Sequence, residues 1–335
     1  MARSMFPEAA LPPSELSYDS CVPRTLVHKR AVSEVFVTDA VRQGPGRFAI
    51  AAQWPRDHVF FQPGAEGTSD PLLWIETVRQ AGIYLSHRFY DVPLNHPFVL
   101  ASLDFSLEDA QPPTHVPAPH AVRLDTTCDV KAQDARRLSM ALEAVVSVDG
   151  RTRGRVGLTW QAVDPRRYDV LRRRNSPPSE NADAPAIAGA VALPPEAVGR
   201  RYDRDVTLAS ALGTARAWNL RLDPDHPVLF DHACDHIPGM ALLESFCQAS
   251  ALTSVGSGGP APRVWTLQSG SVHFTCFGEP DLPVVITARP EPAAPGRPGT
   301  RGSRVAAIQG DRPLASAVLH GTLMRPESIA RGGAA

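Results

Sequence analysis

Apolar positions along the chain alternate as in β-strands, except in two long stretches of helical character. Strands are predicted for LVHKRAVSEVFVTDA at residues 26–40, for RFAIAAQW at residues 47–54 and for four runs between residues 98 and 163 that are joined by short polar turns. Between them, residues 71–85 carry so few polar side chains that we predict a helix buried nearly all round, begun by Asp70 and Pro71. This α+β pattern predicts a long antiparallel sheet that curls around one buried helix.

The same order of elements recurs in the second half. RAWNLRLD reads as a strand, residues 238–256 read as a helix, and four strand-like runs follow. Residues 57–82 align without a gap on residues 225–250, and a length of 335 residues fits two domains. We therefore predict two copies of one domain. The predicted boundaries are a flexible tail at 1–23, a first domain at 24–165, a linker at 166–197 and a second domain at 198–328.

The aligned segments share polar residues as well as apolar ones. The matched polar pairs are Asp57 and Asp225, His58 and His226, Glu76 and Glu244, and Gln80 and Gln248. A carboxylate almost never enters a core unless it is paired or functional, so Glu76 and Glu244 indicate a site. A structural ion pair between Glu76 and Arg79 is the alternative. The two Asp-His pairs either brace a loop or touch a ligand.

The copies differ in the loop that enters the helix. His232 lies 12 residues before Glu244, whereas Gly64 occupies the matching place before Glu76. A histidine held near a buried carboxylate forms an acid–base constellation with pKa values near neutrality, and a twofold arrangement would bring His232 to Glu76. Gly239, at the start of the second helix, leaves backbone N–H groups for an acceptor such as a thioester carbonyl.

Other candidate residues are less specific. Asp235 and His236 offer a further polar contact or metal ligands, but no third ligand at zinc-like spacing accompanies them, so we expect no metal. Cys247 is interpreted as a small core residue rather than a nucleophile. The chain contains no GxSxG, P-loop or GxGxxG motif, which leaves serine hydrolase and nucleotide-dependent reactions unsupported; we expect no cofactor.

Composition narrows the class of protein. A net charge of −1 argues against nucleic-acid binding, and the arginine cluster over residues 166–174 is interpreted as a solvated linker. No segment reaches the roughly 20 apolar residues of a membrane span, and no apolar secretory segment is evident near the N-terminus. The five cysteines show no CxxC spacing. We therefore predict a cytoplasmic protein with reduced thiols.

The second copy of the repeat, FDHACDHIPGMALLESFCQAS, resembles the hot-dog fold of acyl carrier protein dehydratases. More closely, the chain resembles the AfsA-type proteins of actinomycete γ-butyrolactone signalling, which carry two hot-dog copies. The matching pieces are VHKRAVSEVFVTD, AAQWPRDHVFF, DPLLWIETVRQAG, HPVLFDH and DHIPGMALLES. They cover both repeats and most of the chain outside the linker and tails.

The resemblance implies transfer of a β-ketoacyl group from acyl carrier protein to the hydroxyl of dihydroxyacetone phosphate (glycerone phosphate). Glu76 and Glu244 match the family's helix glutamates, and His232 matches the dehydratase histidine. The family's second copy usually reads Glu-x-x-Arg-Gln, and an arginine there is a natural anchor for the substrate phosphate. Here Cys247 takes that place, while Arg79 in the first copy is retained.

These residues predict one working site between the copies. His232 is the general base, Glu76 orients the acceptor or manages its proton, and Gly239 lies at the oxyanion. Expected partners are an acyl carrier protein and a small phosphorylated acceptor, with neither nucleic acid nor membrane. The chain is expected to be a monomeric pseudo-dimer, with further dimerisation left open. The alternatives are a hot-dog dehydratase or thioesterase, and an acyl- or lactone-binding homologue impaired in catalysis.

Overall fold

The computed structural model describes most of both repeats. The described residues are 16–62, 70–108, 118–134, 136–175, 190–210, 216–232, 234–255, 264–294, 296–297 and 299–324. Gly64, which the sequence pairs with His232, lies outside them. Among the described residues, no helix is long and apolar enough to cross a membrane.

The described residues form three α-helices and a continuous antiparallel sheet. The helices are α1 (Pro71–Phe89), α2 (Pro165–Asn175) and α3 (Gly239–Val255). The strands of the first repeat are β1 Val37–Gly44, β2 Arg47–Trp54, β3 Phe98–Leu107, β4 His120–Asp134, β5 Arg137–Val148 and β6 Arg151–Val163. The remaining strands are β7 Val191–Ala192, β8 Leu208–Ser210, β9 Ala217–Leu220, β10 Val264–Phe274, β11 Val285–Glu291, β12 Thr300–Gln309 and β13 Arg312–Met324.

Strand order shows that the two repeats share one topology. The sheet runs β1-β2-β4-β5-β6-β3 and continues as β10-β13-β12-β11-β9-β8-β7. The second half is the first read backwards, with β10 in the place of β3 and the two-residue β7 added at the far edge. The predicted α+β double hot-dog fold is confirmed.

The halves meet where β3 pairs antiparallel with β10. Ser106 pairs with Ser269, and the register continues to Ser102 opposite His273. Gly270 is needed in this seam, because a Cβ atom there would lie 2.4 Å from Leu319 and 2.8 Å from Phe105. Each of these strands follows the buried helix of its own copy, so the pairing places α1 and α3 on related sides of one approximate twofold axis.

Local signals explain where α1 begins. The Asp70 side chain accepts a hydrogen bond from the N–H of Leu72 at 2.9 Å, and Pro71 occupies the first turn, as the sequence predicts. Large apolar side chains of α1, such as Trp74 and Leu85, are fully buried in the core. The polar Glu76 and Gln80 are therefore held in an apolar environment, where they need hydrogen-bond partners.

Three segments differ from the secondary structure expected of them. The predicted strand over residues 26–40 begins only at Val37, after two short 3-10 turns. The arginine-rich segment interpreted as a solvated linker forms α2 instead. Residues 16–23, predicted as tail, contact the first copy: the Val22 N–H donates to the carbonyl of Val37 at 3.0 Å. The domain boundaries themselves stay a prediction.

Candidate active site

A cavity of about 630 Å³ lies between the two copies. The predicted residues that line it are Glu76, Arg79, His232, Asp235, His236 and Gly239. The first two come from α1, and the others come from the second copy, in the loop that enters α3 and the first turn of α3. The twofold arrangement therefore brings the second copy's histidine loop to the first copy's glutamate, as the sequence predicts.

Glu76 is the most highly coordinated side chain in this cavity. Its Oε1 lies 3.0 Å from Lys29 Nζ, and Arg79 donates from Nε to Oε2 at 2.7 Å and from its terminal nitrogen to Oε1 at 2.9 Å. Gln80 donates to Oε1 at 3.0 Å. Burial alone would raise the pKa of Glu76, but Arg79 and Lys29 outweigh it and lower the pKa well below its usual range. The expectation of a Glu76 pKa near neutrality is wrong, because two cations stabilise the carboxylate.

His232 is the more exposed partner of the predicted pair. Its side chain is 50% exposed, and its Nδ1 lies 3.7 Å from Asp231 Oδ2. Burial of the rest of the ring lowers its pKa, and the charge of Arg79 lowers it further. His232 is therefore a neutral imidazole at pH 7, able to accept a proton. Asp231 accepts hydrogen bonds from the backbone N–H groups of Arg30 and Ala31, which fastens this loop to the first copy.

Asp235 and His236 contact the helix that follows the first copy. The Tyr168 hydroxyl donates to Asp235 Oδ1 at 2.8 Å and lies 3.1 Å from His236 Nδ1. Arg172 of the same helix binds Asp235 and also Glu279. Helix α2 is thereby bound to the rim of the cavity, and Tyr168 is one of the lining residues.

The two Asp-His pairs follow β2 and β9, and their histidines hold the loops there. His58 Nδ1 accepts from the N–H groups of Phe60 and Phe61, and its Nε2 lies 3.3 Å from Glu34. His226 repeats this arrangement with Val228, Leu229 and Asp205. Asp57 and Asp225 are exposed at the surface. None of these four side chains lines the cavity described above, so the geometry favours loop bracing over ligand contact.

Glu244 is bound by a single arginine, which it shares with Asp70. Its two oxygens accept hydrogen bonds from Arg200, and Oε1 also accepts from Gln248. The same guanidinium binds Asp70 Oδ2 at 2.8 Å and the carbonyl of Phe60 at 3.0 Å. All of this arginine's terminal nitrogens are engaged with protein groups. Cys247 stands one turn beyond Glu244, where α1 has Arg79, and burial raises its pKa well above the usual thiol value.

Gapless comparison of the repeats missed the cations that bind the two glutamates. The first copy supplies Lys29 after a short 3-10 turn, and the second copy supplies Arg200 after another. Lys29 lies 47 residues before Glu76 and Arg200 lies 44 residues before Glu244, so a single offset does not match them. Only an alignment with a gap, anchored on the buried Val27 and Val198, would have found the pair.

A family model described as the A-factor biosynthesis hotdog domain matches residues 14–164 and 182–325. The chain belongs to this family. Among curated proteins, it is 37% identical over 305 residues to a 2-oxo-3-(phosphooxy)propyl 3-oxoalkanoate synthase of Streptomyces virginiae, covering 90% of this chain and 97% of that protein. A protein of the same name from Streptomyces coelicolor is 33% identical, with 82% of this chain and 84% of that protein covered.

The two copies differ at the residue one turn beyond the glutamate. Cys247 follows Glu244, whose carboxylate is already bound by Arg200. Arg79 follows Glu76 and lines the cavity together with Lys29. The cysteine that departs from the arginine expected by resemblance therefore lies beside Arg200 and leaves the cations of the cavity in place.

Proposed function

We propose that this member of the A-factor family transfers a β-ketoacyl group from an acyl carrier protein to the hydroxyl of dihydroxyacetone phosphate. The observation that carries the proposal is the pairing of Lys29 and Arg79 beside neutral imidazole in one cavity between the copies. The curated relatives bear the name of a synthase whose product joins a 3-oxoalkanoate to a phosphooxypropyl unit.

The cations of the cavity fit the acceptor's phosphate. Lys29 and Arg79 share a single carboxylate, Glu76, so the three side chains together carry a net positive charge. Arginine binds phosphate through a fork of N–H donors, and lysine adds a point charge. In this arrangement Glu76 is a positioning residue: it holds both cations at the cavity wall and does not itself accept a proton.

The apolar wall of the same cavity fits the acyl chain. The apolar lining residues include Phe61, Phe98, Leu100, Val228, Met240 and Phe274. The volume of about 630 Å³ lies within the range of roughly 300–1,000 Å³ common for small-molecule sites. Gly239 brings the N-terminus of α3 to this wall, where backbone N–H groups stabilise a developing oxyanion.

The reaction needs a base for the acceptor hydroxyl. A neutral imidazole takes this proton while the hydroxyl oxygen attacks the thioester carbonyl carbon, and the thiol leaves with a proton. The sequence predicts His232 as that base, and its lowered pKa keeps it unprotonated at pH 7. The ester formed in this way then closes to a butenolide.

The carrier protein would approach over α2. This helix contributes Tyr168 to the cavity and exposes Arg166, Arg173 and Arg174 at its surface. Such a basic rim fits an acidic carrier, because complementary charge steers encounter and sets register. We also propose that the reaction takes place in the cytoplasm.

The test supplies purified protein with a β-ketoacyl carrier protein and glycerone phosphate and follows the ester by mass spectrometry. We expect ester formation with this pair, faster than with the same acyl group on a small pantetheine thioester. A β-hydroxyacyl thioester serves as the control substrate. Its dehydration, or hydrolysis of the β-ketoacyl thioester that glycerone phosphate does not suppress, would replace the proposal with the dehydratase or thioesterase alternative.

A further inference from the structure

His28 occupies a special backbone position at the edge of the cavity. It ends the 3-10 turn of residues 24–27 with a φ of 54°, in the left-handed region that side chains other than glycine rarely adopt. The equivalent residue of the second copy, which ends the corresponding turn, is Gly199 with a φ of 72°. Three other described residues apart from glycine also have a positive φ, so His28 is distinguished by its place at the cavity and not by its backbone alone.

The His28 ring is held between α1 and the cavity wall. Its Nε2 lies 2.9 Å from Nε2 of His87, and Phe98 packs edge-on against it with ring centroids 4.9 Å apart. His28 and Phe98 both line the cavity, together with Glu76, Arg79 and His232. The imidazole is thus oriented within the proposed acyl-transfer site by two neighbours.

Hydrogen-bond geometry fixes which nitrogen of each ring carries the hydrogen. His87 Nδ1 lies 2.7 Å from the carbonyl oxygen of Val92, which can only accept, so Nδ1 is the donor. Burial lowers the pKa of His87, so the ring is neutral and its Nε2 has a lone pair. His28 must therefore donate from Nε2 to His87. Its Nδ1 is then bare of hydrogen, and no described residue donates to it.

We propose that His28, through Nδ1, is the catalytic base that takes the acceptor hydroxyl's proton, with His87 as the residue that positions it. This assignment rests on the proposed function and gives His28 the role that the sequence predicts for His232. Burial lowers the pKa of His28 to about 3, with His87 and Arg79 adding to the shift, so the ring is unprotonated at neutral pH.

The His28–His87 hydrogen bond holds the imidazole in place as it takes the proton. When Nδ1 of His28 takes the proton, the ring becomes an imidazolium and donates a stronger hydrogen bond to His87. A base oriented by a third group in this way follows the logic of hydrolytic triads. The negative charge that develops on the substrate offsets the repulsion of Arg79.

The proton balance closes within the site. The acceptor oxygen forms its bond to the thioester carbonyl carbon as its proton moves to His28 Nδ1. The tetrahedral intermediate then breaks the C–S bond, and His28 returns the proton to the leaving thiolate. His232 is left to bind substrate, and no further reactant is needed.

The test replaces His28 with the residue that the second copy uses. His28→Gly keeps the left-handed backbone without strain and removes only the imidazole. We expect kcat for transfer to glycerone phosphate to fall by about 100-fold or more, with KM for the acceptor within about twofold of wild type. Free imidazole should restore at least about a tenth of the lost rate, because it can enter the space left by the ring.

Hydroxylamine is the second acceptor in the same assay, since its neutral nitrogen attacks a thioester before it loses a proton. His28→Gly should retain transfer to hydroxylamine within about threefold. His87→Phe should lower transfer to glycerone phosphate by about tenfold or more, and His87→Gln should recover most of it by accepting from His28. His120→Gln, a histidine outside the cavity, is the matched control, and thermal unfolding checks that each variant is folded.

Two results would overturn the assignment: near-normal transfer by a folded His28→Gly, or an equal loss with both acceptors that imidazole does not restore. The wild-type arm reports on the proposed function separately. A wild-type protein that acylates hydroxylamine but not glycerone phosphate would defeat the proposed acceptor, and the role of His28 with it.

Discussion

The two helix glutamates of this protein occupy equivalent places in the repeated fold, but the charges around them differ in sign. Glu76 is shared by Lys29 and Arg79 at the wall of a cavity, and these three side chains together carry one net positive charge. Glu244 shares Arg200 with Asp70, so that cluster carries net negative charge and its cation is fully engaged. One duplicated carboxylate therefore lines a cavity in the first copy and belongs to an internal ion-pair network in the second.

The difference shows how a symmetric fold acquires one asymmetric site. Gln80 and Gln248 make identical contacts in the two copies, each accepting from a backbone N–H and donating to a backbone carbonyl of the preceding segment. These amides are structural and are kept in both halves. The residues that differ, such as Arg79 against Cys247 and His28 against Gly199, cluster around Glu76. The copies therefore share the amides that hold the preceding segment and differ at residues beside the glutamates.

Replacing Arg200 or Lys29 should give the largest difference between the copies, and it should appear in the free energy of unfolding. Arg200→Met leaves Glu244 and Asp70 buried without their cation and should destabilise the protein by about 3–5 kcal/mol. Lys29→Met should cost only about 1–3 kcal/mol, because Arg79 and Gln80 still bind Glu76. Urea unfolding of both variants measures the difference. Equal losses would mean that the two networks are energetically alike.

The residues one turn beyond the glutamates should separate the copies in substrate binding. Arg79→Met removes a charged donor from the proposed phosphate site and should raise KM for glycerone phosphate by about 10- to 100-fold. Cys247→Ala, at the equivalent position of α3, should leave KM unchanged within about twofold. Steady-state kinetics with a fixed acyl donor compares them. A rise in KM for Cys247→Ala of the same size would place the phosphate in the second copy.

Acid unfolding should show the smallest effect. The pKa of Glu76 is lower in the folded protein than in the unfolded chain, so its ion pairs contribute stability above the unfolded value near 4.5. That contribution is lost as the pH falls below this value, because the unfolded chain then binds the proton more readily. Glu76→Gln should therefore lose less stability than wild type between about pH 5 and pH 3. Parallel pH profiles for the two proteins would contradict the role of Lys29 and Arg79.

Sequence patterns predicted the core of this molecule well and its site in part. Alternation and apolar runs located β2, α1 and α3 closely, because burial alone determines those patterns. Glu76 and His232 could be predicted as site residues because a polar residue in an apolar helix and a difference between the copies are both visible in the sequence. That Glu76 and His232 line the same cavity follows from the repeat only when a twofold arrangement of the copies is assumed.

The residues that the sequence missed depend on contacts distant along the chain. Lys29 and Arg200 reach their glutamates from segments with different spacing in the two copies. The role proposed for His28 depends on its hydrogen bond to His87 and on the bond of His87 to the carbonyl of Val92. Helix α2 is too rich in arginine to show an apolar face, and Tyr168 and Arg172 hold it through contacts with the second copy. No local periodicity reports such contacts.

We propose that the cavity at Glu76 is the working site and that the equivalent position at Glu244 is closed by Arg200. The most direct measurement is the initial rate of acyl transfer to glycerone phosphate by Glu76→Gln and by Glu244→Gln, normalised to folded protein. We predict a fall of about 100-fold or more for Glu76→Gln, because Lys29 and Arg79 lose the carboxylate that positions them, and a change of less than about threefold for Glu244→Gln. A large loss in Glu244→Gln together with near-normal turnover in Glu76→Gln would contradict the account and move the site to the second copy.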